Sequence, residues 1–388
     1  MRCAPFYSLF TFEYQPNCVC SSLMNTYLAY KSKRTYVFHD YIWYSNFYHW
    51  RDHPNRPSMP STPANALLSG PSVGGPWDPS DPAPRSISKR FLDTVCPPFE
   101  RHIINTRDVK PTIPNNSSGR SIFNTWQKLL LESKERCIEI QPATMEEDIF
   151  SQTFDLWFWG YGRANEFWEE YRDSPVSRLF GTSPIVSSAV ERNRYLFAPR
   201  APNGVKSIAH TVGASNDPHE RMLAVHIRRG DYEEACLQFA KHNSTFYSWN
   251  LLPFLPDQFE HPVGWDVDEE ETLRLYTTHC FPTMDEIRLK IREAKEEYVL
   301  AADEGKGEVR YLDTLYILTN AKDNWLSKLK EMMYEDGWNH IVTTKELELD
   351  QHQKDVGMAV DMELARRAAV FLGNGVCAFP PFKNQSFD

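Results

Sequence analysis

No stretch of this sequence approaches the ~20 consecutive apolar residues of a membrane-spanning helix, and the chain reads as soluble. Its N-terminus, MRCAPFYSLFTFEY, holds one arginine and a short apolar run broken by Pro5, a poor match to a secretory signal. Basic charge is scarce, with 42 Lys and Arg against 52 Asp and Glu and a formal charge of -10. Coating of nucleic acid or of an anionic membrane draws on clustered Lys and Arg, so no nucleic-acid partner is expected, although a local basic site remains compatible. Eight cysteines in 388 residues are too few for a disulfide scaffold. Cys18 and Cys20 form a CxC with neither a second pair nor histidines at zinc spacing, so the cysteines read as ordinary thiols or a few bridges. Neither GxSxG nor GxxxxGK(S/T) occurs, which argues against an α/β phosphate-ester enzyme built on a nucleophile elbow or a P-loop. No internal repeat or heptad run is evident.

What is present is a foldable composition, 41% hydrophobic and 13% aromatic, at a length that suggests two domains facing a cleft. Leu23, Tyr27, Leu28 and Tyr30 form a helix-like stripe, and Thr35 to Phe38 a short strand, the opening of an α/β domain. Between His53 and Arg85 prolines recur with Ser and Gly, a composition that sustains neither helix nor central strand. Helical patterning returns at Ile122, Phe123, Trp126, Leu129 and Leu130, and the stretch FDLWFWGYGRANEFWEEY reads as core or interface packing. From LAVHI at 223–227 onward the pattern is regular. Thr283 and Glu286 form a capping box ahead of a helix whose face is Ile287, Ile291, Ala294 and Tyr298. The strand-like LDTLYILTN, the helical NWLSKLKEMMYEDG, the strand-like HIVTT, a helix around VGMAVDMELARRAA and the strand-like VFLG follow. Such alternation predicts a parallel sheet with helices on both faces and a ligand crevice at the carboxyl ends of the strands. The expected division is 1–215, an N-terminal α/β domain with the Pro-rich irregular insertion near 53–85, and 216–388, a more regular Rossmann-like domain. Asn115, Asn116, Asn243 and Asn384 begin glycosylation sequons, which matter only in a secreted chain.

The stretch AVHIRRGDYEEAC, 224–236, sets two arginines, a glycine and an aspartate directly after an apolar run. Guanidinium groups are permanently charged and planar, with donors spaced to grip two phosphate oxygens at once. Gly230 lets the backbone turn sharply behind them. A pyrophosphate-shaped recess is one reading; the other is that Arg228 and Arg229 pair with Asp231, Glu233 or Glu234 and tie down a loop. Thr319 and Asn320, at the end of the next strand, either line the same crevice or close its turn.

The segment VHIRRGDY, followed much later by AVDMELARRAAVFLGNG, resembles the GDP-fucose protein O-fucosyltransferase-like family, particularly its fungal members, and more distantly the α-1,6-fucosyltransferases. The family's H-x-R-R-x-D motif falls on His226 to Asp231. Its companion, an aspartate-bearing helix leading into a strand and a Gly-Asn-Gly turn, falls on Asp361, Glu363 and Gly373-Asn374-Gly375. The resemblance implies an α/β, GT-B-like transferase of two Rossmann-like domains that holds GDP-fucose and passes fucose, with inversion, to a protein or glycan hydroxyl. Arg228 would be catalytic, holding the β-phosphate and stabilising the leaving group, while His226 and Asp361 would contact the guanosine end. Arg229, Asp231, Asn374, Thr319 and Asn320 would complete the GDP-sugar site. A fixed arginine neutralises a departing diphosphate without a metal, so no cofactor or metal is expected. The base that activates the acceptor is not assigned, and the family commonly works in the secretory pathway. Two departures point to an alternative, a catalytically degenerate member that keeps the fold and binds nucleotide or glycoprotein weakly. YQPNCVCSSLMN lacks the glycine that family members carry before the first helix, and Cys377, Ala378 and Pro380 stand where hydroxyl-bearing residues cap the phosphates.

Overall fold

The computed structural model describes residues 3–4, 18–42, 61–144, 146–148, 151–159, 162–198, 217–230, 232–242, 246, 248–255, 259, 268–301 and 311–373. The fold is mixed α/β with parallel sheets, and the chain divides into two compact units. Unit 1 is Met1–Ile185 with Tyr247–Pro256, and unit 2 is Val186–Phe246 with Asp257–Asp388. The boundary expected at 215/216 lies outside the described residues. Among the described residues, no helix is long and apolar enough to cross a membrane.

In unit 1, helix α1 (Cys18–Lys31) leads into strand β2 (Thr35–Phe38), which pairs in parallel with β1 (Cys3–Ala4) on one side and β3 (Ile87–Ser88) on the other. A second parallel pair joins β4 (His102–Asn105) to β5 (Ile138–Gln141). Helix α2 (Gly119–Glu132) buries Ile122, Phe123, Trp126 and Leu130, the stripe its sequence predicts. Both of its ends are satisfied by side chains from elsewhere. Ser118 and both oxygens of Glu166 take the first amides, Glu166 accepting from Gly119 N at 3.1 Å and Arg120 N at 3.0 Å. Beyond the other end, the buried guanidinium of Arg34 donates to the carbonyls of Leu130 (2.8 Å), Ser133 (2.8 Å) and Glu135 (3.1 Å). The aromatic stretch at 154–171 is core. Phe154 and Phe167 pack on Phe123 and Phe158 packs on both of them, while Trp159, Trp168 and Tyr171 close around Trp249, whose ring stacks on Tyr171 at 5.5 Å. A disulfide, Cys96–Cys137, lies against Val37 and Leu92 in a second small core.

Unit 2 is organised by one four-stranded parallel sheet. Its strands are β6 (Met222–Ile227), β7 (Thr314–Thr319), β8 (His340–Thr343) and β9 (Val370–Gly373), in the spatial order β8-β7-β6-β9. Side chains alternate across a strand. Leu223, Val225, Ile227, Leu315, Ile317 and Ile341 therefore share one face, where they pack against Ile287 and Ile291 of α5 (Met284–Leu300) and Leu326, Leu329 and Met333 of α6 (Asp323–Glu335). Full burial of each such side chain contributes roughly 1.5–3 kcal/mol. The expected box at the start of α5 is formed in both directions, between Thr283 and Glu286. The other face carries Ala224, His226, Tyr316 and Leu318, and helix α7 (Gly357–Arg367) meets it there through a bond from Tyr316 to Asp361. Two helices absent from the sequence reading, α3 (Tyr232–Lys241) and α4 (Glu269–Cys280), are joined by the disulfide Cys236–Cys280.

Candidate functional site

The apolar run of β6 ends at Ile227, and the chain leaves the sheet through Arg228, Arg229 and Gly230 before α3 begins at Tyr232. Gly230 has φ +66°, a left-handed conformation that side chains disfavour. The neighbouring strand latches this exit. The Thr319 hydroxyl donates to the Ile227 carbonyl at 2.6 Å and accepts from Ala321 N at 3.1 Å. Asn320 Oδ1 accepts from the Arg229 amide at 2.7 Å. Thr319 and Asn320 thus close the turn and hold the arginine segment while doing so.

The two arginines part company. The Arg229 guanidinium lies 3.6 Å from the ring centre of Phe281 and 5.0 Å from that of Trp325, and its Nη1 donates to the Pro282 carbonyl at 2.7 Å. It belongs to the side of the sheet packed by α5 and α6, and burial draws its pKa downward against the opposing charge of Glu233. Arg229 is a tie, made to aromatics and a carbonyl rather than to the carboxylates considered from sequence. Arg228, one residue earlier, stacks over Tyr232 at 5.4 Å and is close enough for its charge to act on His226.

His226 lies within the sheet one pair before the end of β6, opposite Leu318 and Gly373. Burial first, and the Arg228 cation second, bring its imidazole down to about 4, so it is neutral at physiological pH, with one nitrogen a donor and the other an acceptor. Asp361 is on α7, facing the same side of the sheet. Its Oδ1 accepts from the Tyr316 hydroxyl at 2.5 Å and its Oδ2 from the Thr344 hydroxyl at 2.9 Å. Burial lifts this carboxyl to about 6, against the pull of those two hydrogen bonds. Tyr316 and Thr319 are three residues apart on β7, about 10 Å along the strand, so the carboxylate's anchor is separated from the arginine turn by roughly that much.

His226, Arg228 and Asp361 are therefore on one side of the sheet and Arg229 is on the other. Asp231 and Asn374 lie outside the described residues. Glu363, named with the second motif, is a buried helix brace, held by Arg366 and Arg367. Sequence reasoning missed the partners that hold Asp361. Tyr316 shares the period-2 face of His226 across the β6–β7 pairing, and that register, had it been known, would have pointed to it. Among the described residues, no group of three or more His, Cys, Asp or Glu could hold a metal ion.

This arrangement offers one fixed cation at a strand end, a neutral imidazole beside it and a carboxylate further along the sheet. It suits a ligand with a polyanionic end and a donor-rich end.

No family model matches the chain, and no curated protein matches it. Among solved structures it is similar to POFUT1 in complex with GDP, at 13% identity over 96% of this chain and 90% of that one, with a TM-score of 0.47. It is also similar to POFUT1 in complex with GDP-fucose, at 12% identity over 98% and 92% of the two chains, with a TM-score of 0.46. Likenesses this slight carry neither residue roles nor activity across.

Proposed function

We propose that the chain is a fucosyltransferase-like enzyme that takes GDP-fucose as donor and passes the sugar, with inversion, to a hydroxyl of a protein or glycan, within a GT-B-like fold. The observation that carries this reading is that Arg228 and the neutral His226 stand together at the carboxyl end of a parallel strand, on the side of the sheet where Asp361 stands, while Arg229 is turned away. Breaking a sugar–phosphate bond leaves negative charge on the diphosphate. A guanidinium already in place stabilises that charge more in the transition state than in the ground state. Asp361 is suited to accept from the N–H groups of a guanine edge, and the Tyr316 and Thr344 hydroxyls set the plane of its carboxylate. No metal enters this scheme, and among the residues described here the acceptor base is unassigned.

Calorimetric titration with GDP, with UDP and ADP as controls and Arg228→Ala alongside, tests the reading. Saturable binding that favours GDP and falls at least tenfold in the variant is expected, since a charge-assisted phosphate contact contributes about 1.5–3 kcal/mol. Absence of GDP binding by the folded chain would overturn it. The missing hydroxyls at Cys377, Ala378 and Pro380 favour a second reading, retention of the fold with weak binding and no transfer, which binding of GDP without turnover of GDP-fucose would establish.

A further inference from the structure

Four cysteines of this chain are paired in two bridges, Cys96–Cys137 in unit 1 and Cys236–Cys280 in unit 2. All four are buried among apolar side chains, so the pairs form as the units fold rather than by later surface oxidation. Bridges of this kind mark a chain that folds in an oxidising compartment. In that setting the sequons acquire a chemical meaning that composition alone could not give them.

Of the four sequon asparagines, Asn115 and Asn116 lie within the described residues, and both are exposed. They occupy the middle of a turn closed by a bond from Ser117 N to the Pro114 carbonyl at 2.9 Å, directly before the Ser118 cap of α2. Neither amide side chain has a hydrogen-bond partner among the described residues, so a substituent on the nitrogen would displace no contact and uncover no core. The two sequons overlap, Asn115 using Ser117 and Asn116 using Ser118, so a bulky group on either asparagine blocks the other.

The geometry points to this turn as an N-glycan acceptor that carries one oligosaccharide per chain. The donor is a lipid-pyrophosphate-linked oligosaccharide supplied by the compartment's own transferase. The asparagine Nδ2 forms a bond to the anomeric carbon and loses one proton, while the bond from that carbon to the pyrophosphate oxygen breaks and the lipid pyrophosphate leaves with the electron pair. Neither the nucleotide site nor the proposed activity enters this inference.

The test uses the full chain purified without reductant from the cells that make it. Free thiols are first blocked. The peptide containing residues 114–120 is then released and treated with an amide-cleaving glycosidase in heavy-oxygen water, which converts a glycosylated Asn to labelled Asp. One label per peptide, at Asn115 or Asn116, is expected, and an Asn115→Gln/Asn116→Gln double variant made in the same cells should lose that glycan and keep its thermal midpoint. An unlabelled peptide from protein whose four cysteines resist blocking would overturn the proposal. Blocking of Cys96, Cys137, Cys236 or Cys280 without prior reduction would overturn its premise. If the double variant is not produced, the wild-type peptide alone decides.

Discussion

Units 1 and 2 both rest on parallel strands, yet they are held together in different ways. In unit 2 the sheet does most of the organising: four strands in continuous register, one apolar face, and two long helices whose stripes match it. Unit 1 has a three-stranded and a two-stranded parallel sheet made of strands of two to four residues. Its coherence comes from side chains that reach far along the chain. Arg34 reaches the end of α2, Glu166 reaches its start, and Trp249 enters an aromatic group from beyond position 185. Where a sheet is long, order is repeated along the backbone; where it is short, order depends on a few large residues, and each of them matters more.

The largest effect that follows belongs to unit 1. Trp249→Ala removes a buried indole from between Trp159, Trp168 and Tyr171 and is expected to cost about 3–5 kcal/mol in denaturant unfolding. Hydrogen exchange should quicken at α1 and α2 and stay unchanged at β6 and β7. Equal loss of protection in both would break the contrast.

A smaller effect is expected in unit 2 from Cys236→Ser/Cys280→Ser, about 2–4 kcal/mol. The bridge joins the first turns of α3, which follow Gly230, to the end of α4, which precedes the Phe281 and Pro282 that hold Arg229. Exchange of the Arg229 and Tyr232 amides should quicken first, ahead of the sheet. Protection of these amides equal to that of the wild type would show that the loop is held by Asn320 and Thr319 alone.

The smallest effect has a sign that depends on pH. The Asp361 carboxyl titrates at about 6 in the folded chain, above its ordinary value, so its contribution to stability is present below the unfolded pKa and is lost as pH rises through 6. Asp361→Asn, which has no such titration, is expected to be the more stable protein at pH 7.5, with the difference closing as pH falls towards 4. His226 acts in the opposite direction, losing its contribution as pH falls from about 6.5 to about 4, and is common to both proteins, so it cancels from the comparison. Thermal midpoints across that range decide the matter; a variant less stable at pH 7.5 would mean that the hydrogen bonds from Tyr316 and Thr344 outweigh the cost of burial.

The same difference between the units governs what could be read before any coordinates. LAVHI and TLYILT announce buried strands because they are the two central strands of the parallel sheet, and the Thr283–Glu286 box and Gly337, at φ +83°, mark helix ends through local chemistry. The pair β4–β5 was not legible, since Ile103 is exposed and β4 shows no buried alternation. Helices α3 and α4 escaped notice because Cys236, Tyr276 and Cys280 supply much of their buried faces, and cysteine pairing is invisible in one sequence. The motif named His226, Arg228 and Arg229 together, whereas alternation continued past the end of β6 puts His226 and Arg228 on one side of the sheet and Arg229 on the other. Arg229 was grouped with them because its carbonyl partner is 53 residues away and its aromatic neighbours lie in other elements. Tyr316 and Thr344 were missed for the same reason: a carboxylate's second partners are chosen by packing, not by spacing.

The placement of Tyr247–Pro256 in unit 1 also sets a timetable for synthesis. Domains generally fold as they leave the ribosome, at about 5–20 residues per second. When Ile185 has emerged, Trp159, Trp168 and Tyr171 have no indole to close on, and residues 186–246 of the other unit must be made before Trp249 arrives. For those seconds the first part of the chain waits with an open aromatic surface, the kind of exposed apolar surface that chaperones cover.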